Sequence, residues 1–181
     1  MLNIINNPSK PKTMKHLMLS IIALAMFVSG VNAQTVSGRK KGIQAESSFV
    51  FAGASHWALG GRQTIGYCIN PDWYVGVGAV FISNLNPSGN DVNIAPLYPN
   101  ARWYWKDRRW SPFVDMSAGY AFATSTGTGG GAYVAPLVGI NYHIKGRLSL
   151  DLGLGYLYEG CTYYGMAFNQ HSPEIRIGLR Y

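Results

Sequence analysis

The chain has 181 residues, of which 48% are hydrophobic, 13% aromatic and only 13% charged, with a formal net charge of +7. One domain is expected at this length, and charge at about half the usual share of roughly 25% excludes a disordered chain and argues against an ordinary cytosolic surface. The 22 glycines follow no collagen repeat, and two cysteines can neither staple a disulfide scaffold nor complete a zinc site, so no cofactor or metal is expected.

The first segment is an address. Met14-Lys15-His16 opens an almost wholly apolar run from Leu17 to Val28, and Val31 and Ala33 place small residues before Gln34. That pattern is a cleaved secretory signal peptide, too short for the roughly 20 apolar residues of a spanning helix. The alternative is a signal anchor that stays uncut. Residues 1–33 are thus assigned to the signal peptide and an upstream extension, 1–13, with translation starting at Met1 or Met14. Removing them discards Lys10, Lys12 and Lys15 and no acid, so much of the basic excess leaves with the address. No basic stripe interleaved with aromatics remains, and no nucleic-acid partner is expected.

A short leader, 34–42, precedes a region, 43–181, that alternates with period two and shows no helical periodicity. Strands are predicted near 43–53, 62–70, 73–83, 93–105, 111–124, 132–144, 148–159 and 172–181. In the third, Trp73, Val75, Val77, Ala79 and Phe81 fall on one face. In the seventh, Leu150, Leu152, Leu154, Tyr156 and Tyr158 oppose Asp151, Gly153, Gly155 and Glu159. In the last, Ile175, Ile177, Leu179 and Tyr181 oppose Glu174, Arg176, Gly178 and Arg180. Short connections (70–72, 106–110, 145–147) alternate with longer ones (54–61, 84–92, 125–131, 160–171). Eight strands of about 10 residues fit an antiparallel up-and-down transmembrane β-barrel.

Alternation alone does not choose between a soluble barrel, apolar inside, and a membrane barrel, apolar outside. Three features favour the second. The polar face carries Glu46, Arg62, Arg102, Asp115, Asp151, Glu159, Glu174, Arg176 and Arg180, nearly balanced in sign, among many glycines. Small barrels have interiors just wide enough for side chains to fill, so these charges are expected to pair as a plug inside the wall. Aromatics sit near strand ends on the apolar face: Trp73, Trp103, Trp105, Tyr142 and Tyr181 beside short turns, and Tyr120, Phe122, Tyr156 and Tyr158 toward long loops. These are candidate interfacial girdles. Finally, the chain ends on an aromatic strand, Glu174 to Tyr181.

That last strand resembles the C-terminal signal by which bacterial outer-membrane barrels are recognised for insertion, with Tyr181 terminal, Leu179 two before it, and Arg176 where a glycine is common. More widely, Ile94 to Tyr104, Ser111 to Asp115 leading to Gly119-Tyr120, Pro136 to Gly139 and Gly153 to Tyr156 resemble the outer-membrane protein β-barrel domain family, small barrels akin to OmpX and the membrane domain of OmpA. The resemblance covers about two-thirds of the region after the signal. It implies the fold, a bacterial outer-membrane location, membrane lipid as surroundings and the barrel-assembly machinery as partner during insertion. The family has no single activity, so function is not inherited with the fold.

Chemistry is sparse. Ser55-His56, His171-Ser172 and Glu159 fall toward one end and could meet as a Ser–His–acid set, but no nucleophile motif surrounds either serine, so no enzyme is expected. The run Ser125 to Gly131 lacks the Gly-Lys-Ser/Thr ending of a phosphate-binding loop. Cys68 and Cys161 are placed at different heights, too far apart for a disulfide. Pro96, Pro99 and Pro136 fall inside strands, where bulges or breaks are expected. Tyr163, Tyr164 and Phe168, in the last long connection, are candidate contacts for an extracellular ligand or surface. The expected function is therefore a structural or surface-interaction protein of the outer membrane. A narrow solute or ion channel is the first alternative, a lipid-modifying enzyme the second and a soluble ligand-binding barrel the third.

Overall fold

A computed structural model describes residues 41–53, 57–85, 93–105, 109–123, 128–163 and 166–181. The expected signal segment and most of the expected leader lie outside the described residues. The strands are β1 (Gly42–Gly53), β2 (Trp57–Cys68), β3 (Trp73–Leu85), β4 (Asn93–Tyr104), β5 (Trp110–Ala123), β6 (Thr128–Gly129), β7 (Gly131–Lys145), β8 (Leu148–Tyr163) and β9 (Met166–Arg180). Apart from the two-residue β6, which pairs only with the far end of β8, each strand pairs antiparallel with its neighbours in sequence. β9 closes the ring on β1 from Glu46↔Arg180 to Ala52↔Glu174, and Ala45 and Tyr181 exchange backbone hydrogen bonds at 2.8 and 2.9 Å. The result is a closed eight-stranded up-and-down barrel with both chain ends of the barrel at the short-turn end.

The alternation is inverted relative to a soluble barrel. Leu152 is 48% exposed and Ile177 42%, whereas their neighbours Asp151 and Arg176 are each 2% exposed. Large apolar side chains clothe the outer wall of every barrel strand, and the charged ones fill the interior. A wall of this kind in water would forgo about 1.5–3 kcal/mol for each Leu, Ile or Phe left outside. It is stable only where the surroundings are themselves apolar.

Glycines make room for the interior. Gly66 and Gly76 face each other across β2 and β3, and a Cβ on Gly76 would stand 2.8 Å from the Tyr74 hydroxyl and 3.0 Å from the Gly66 Cα. The β7–β8 connection turns at Gly146, whose φ of 65° lies in the left-handed region glycine tolerates best.

Several strand limits differ from the sequence expectation. β2 begins at Trp57 rather than near 62, which leaves a short β1–β2 connection. β8 and β9 run to Tyr163 and from Met166, so the expected long loop is mostly paired hairpin. The prolines give breaks rather than bulges. The ladder skips from Ala79↔Leu97 to Ile82↔Ile94 beside Pro96, from Leu97↔Tyr120 to Asn100↔Ser117 beside Pro99, and from Val134↔Tyr158 to Leu137↔Gly155 beside Pro136, each time resuming in the same register. A missing proline N–H removes local hydrogen bonds without adding a residue, so nothing shifts the register. The register shift that does occur lies between His143 and Lys145, at a short turn.

Candidate functional site

The interior is layered. Toward the short-turn end, Cys68, Tyr74, Tyr104, Phe113 and Leu137 form one apolar cluster, and toward the other end Val80, Ile82, Ile94, Tyr98, Tyr133 and Leu157 belong to a second. An ionic network joins them. Arg102, on β4, donates from Nε to Asp115 at 2.7 Å, meets Asp151 through Nη1 at 2.5 Å and Glu46 through Nη2 at 2.8 Å. Arg180 meets Glu46 at 2.5 Å and Asp151 at 3.2 Å and donates to the Tyr104 hydroxyl. Arg176 spans Asp115 at 3.0 Å and Glu174 at 2.7 Å. Arg62 donates to Ser117 Oγ at 2.6 Å and lies 3.7 Å from Asp115.

Planar faces of the same guanidiniums rest on rings. Arg102 stands 4.2 Å from the Phe113 centroid, Arg180 4.7 Å from Tyr74 and Arg62 4.2 Å from Tyr98. Such stacking suits arginine, whose flat cation is weakly hydrated. Asn141 donates to the second oxygen of Asp151, and Asn100 to Ser117. Tyr74, Tyr104, Asn100, Ser117 and Asn141 were absent from the expected set. Their inward positions could have been read from parity with Arg102, Asp115 and the residues beside them.

One expected member stands apart. Glu159 is buried inside the wall, but neither carboxylate oxygen has a hydrogen-bond partner among the described residues, and no ion pair reaches it. Its register neighbour Tyr133 belongs to the upper apolar cluster, while the arginines are bound to acids nearer the short-turn end. The expectation that Glu159 pairs within the network is corrected accordingly.

The other sequence candidates separate by face. Ser172 points inward and is buried, whereas His171 points outward, its ring 5.1 Å from that of Tyr158 and 6.0 Å from that of Tyr156. Neighbours on opposite sides of a sheet cannot act on one another, so His171 does not activate Ser172. Ser55 and His56 lie outside the described residues. Cys68 and the backbone of Cys161 sit at opposite ends of the barrel, pairing with Tyr74 and Phe168 respectively. Among the described residues no cluster of His, Cys, Asp or Glu could hold a metal.

On the outer wall, Trp73, Trp103 and Trp105 are exposed at the short-turn end, with Tyr142 and Tyr181 half-buried beside them, and Trp110, unforeseen, stacks on Tyr142 at 4.4 Å. At the opposite end Tyr120, Phe122 and Tyr156 are exposed and Tyr158 half-buried. Beyond this second belt β8 and β9 continue as a hairpin. Its β8 edge is covered by β6. Its β9 edge is not covered by any described strand, because β1 pairing ends at Ala52↔Glu174. Hydrogen-bonded pairs alternate along an antiparallel ladder, and Ala45↔Tyr181 is one such pair. The backbone groups of Ala167, Asn169 and His171 therefore point to the open side. Tyr163 and Phe168 lie on this hairpin by backbone; their side chains, and Tyr164, lie outside the described residues.

A closed ring of this size, charged within and apolar without, defines the class of small outer-membrane β-barrels. Solved structures with this architecture include Neisserial surface protein A (NspA), with a TM-score of 0.62 and 20% identity over 80% of this chain and 98% of that one. The outer membrane protein OprG from Pseudomonas aeruginosa gives a TM-score of 0.50 and 10% identity over 80% of this chain and 98% of that one. No family model and no curated protein sequence matches the chain.

Proposed function

We propose that the protein is a bacterial outer-membrane barrel, exported by a signal peptide cleaved after Ala33, whose lumen is a structural plug and whose outward contacts run through the β8–β9 hairpin. The observation that carries this reading is the inverted wall: apolar side chains outside, with eight of nine interior charges in one paired network. Short turns and both barrel ends belong on the periplasmic side, as in bacterial barrels generally. Lipid surrounds the wall, and the barrel-assembly machinery receives the strand ending at Tyr181.

The plug argues against a conduit. Arg102 alone meets three acids from three other strands, and opening the lumen would separate ions that cost several kcal/mol each to leave unpaired. At the outer end, the open β9 edge offers backbone groups that an extended segment of another protein can pair with, and the same stretch of sequence carries Tyr163, Tyr164 and Phe168. Deleting residues 160–169 while keeping β1–β9 closure should leave a barrel that fractionates with the outer membrane and shifts on gels when heated, but lose binding of whole cells to immobilised extended polypeptides. Undiminished binding after the deletion would defeat the hairpin assignment, and steady single-channel currents from the intact barrel in planar bilayers would defeat the plug.

A further inference from the structure

The outer wall has a groove of about 460 Å³ across β4, β5, β7 and β8, in the half nearer the short turns. Its origin is a row of side chains across the sheet. Trp103 pairs with Val114, Val114 with Val138, and Val138 with Leu154, so two small side chains lie between two large ones. The next row down holds Trp105, Pro112, Ile140 and Leu152, with Pro112 the one small side chain between larger ones. The slot falls within the roughly 300–1,000 Å³ of ordinary ligand pockets, and it opens outward rather than into the lumen.

What lies beneath the slot decides its occupant. Trp110 and Tyr142 stack one step closer to the short turns, and the Arg109 guanidinium stands 5.1 Å from the Tyr142 ring centroid. Lys145 ends β7 and is exposed there, whereas the Arg147 guanidinium in the following turn reaches toward Gly42 of β1. Apolar slot, aromatic belt and cationic collar thus follow one another along the wall, in the order of acyl chain, glycerol and phosphate in a phospholipid.

We infer that this groove is a binding site for one anionic glycerophospholipid of the adjacent leaflet, with an acyl chain in the slot and the phosphate at Arg109 and Lys145. The inference rests on the membrane-barrel reading above. A second copy of the chain is a poorer occupant, because wall-to-wall contact would bring two cationic collars together. A zwitterionic lipid fits the slot, but its ammonium group faces cations.

The test uses the full chain refolded in detergent, with dioleoylphosphatidylglycerol and dioleoylphosphatidylethanolamine supplied in equal amounts and retained lipid counted by native mass spectrometry. One phosphatidylglycerol per barrel should be retained. Arg109→Gln and Lys145→Gln should each lower its retention about fivefold, the equivalent of roughly 1 kcal/mol per basic residue at an anionic surface. Val138→Trp, or Val114→Phe on the neighbouring strand should the first not fold, should fill the row and abolish retention. Glycerol 3-phosphate, which lacks acyl chains, should not compete. Equal retention of the two lipids, retention that survives filling, or a lipid-free dimer would overturn the site. The heat-dependent gel shift of each sample reports barrel formation separately. Its absence from the unaltered chain would overturn the membrane reading and this site with it, whereas its presence without selective lipid would overturn the site alone.

Discussion

Asp115 is the residue on which most interior charge converges, with Arg102 at 2.7 Å, Arg176 at 3.0 Å and Arg62 at 3.7 Å. Removing one partner of a buried ion pair typically costs about 3–5 kcal/mol, because the other charge stays behind. Asp115→Asn should therefore lower the urea midpoint of the refolded barrel by a large margin, read from the heat-dependent gel shift. Glu159 should behave in the opposite way. Its carboxyl group is buried and unpaired, so Glu159→Gln replaces it without orphaning a cation, and the midpoint should stay level or rise. Gly76→Ala should lower the midpoint by the equivalent of about 1–3 kcal/mol of stability, the usual range for overpacking, since the new methyl would crowd the Tyr74 hydroxyl and the Gly66 backbone. Alternation along 148–159 assigns Asp151 and Glu159 to one face, and both side chains are inside the wall. That Asp151 meets two guanidiniums while Glu159 meets none depends on register across the barrel, which alternation within a strand does not encode.

At the scale of elements, the two ends of the barrel were unequally legible. Strands such as β3 and β9 alternate cleanly because each position meets either the interior or the outer wall. Ala58 to Gly61 carries no such pattern, yet it forms the start of β2, because Leu59 pairs with both Phe51 and Ser83, and Gly60 with Val50 and Ile82. Its neighbours, rather than its own composition, make it a strand. The same holds for Gly160 to Tyr163 and Met166 to Asn169, which pair with one another above the ring. Because nothing described flanks the β9 edge there, the amides of Ala167, Asn169 and His171 should exchange with solvent far faster than those of Ile175, Ile177 and Leu179, which face β1. Hydrogen-exchange rates within β9 should rise sharply on the tip side of Pro173. Uniform protection along the strand would mean that the edge is covered.

The whole molecule reads as a wall whose two surfaces obey different solvents. The compositional signs of this, few charges and many glycines, were plain from the start. The outward aromatics near the strand ends were visible too, except for Trp110, whose place beside Tyr142 follows from β5–β7 register. The outward groove was not, because a row of large and small side chains runs across four strands that are distant in sequence. If the interior is the plug its geometry suggests, the double variant Arg102→Ala with Asp115→Ala should conduct in planar bilayers where the parent does not, since it deletes ligands contributed by two adjoining strands at the centre of the network.

The seam between the first strand and the last has a temporal consequence. Ala45 clasps the final residue, Tyr181, and the pairs beside it join Glu46–Ala52 to Glu174–Arg180. No ring exists until β9 has been made, so the circle is fastened only once every strand from the first to this one is in hand. A nascent chain that stops short of β9 can hold hairpins but not an enclosure, and without Glu174–Arg180 the sheet keeps two raw margins and no means of joining them.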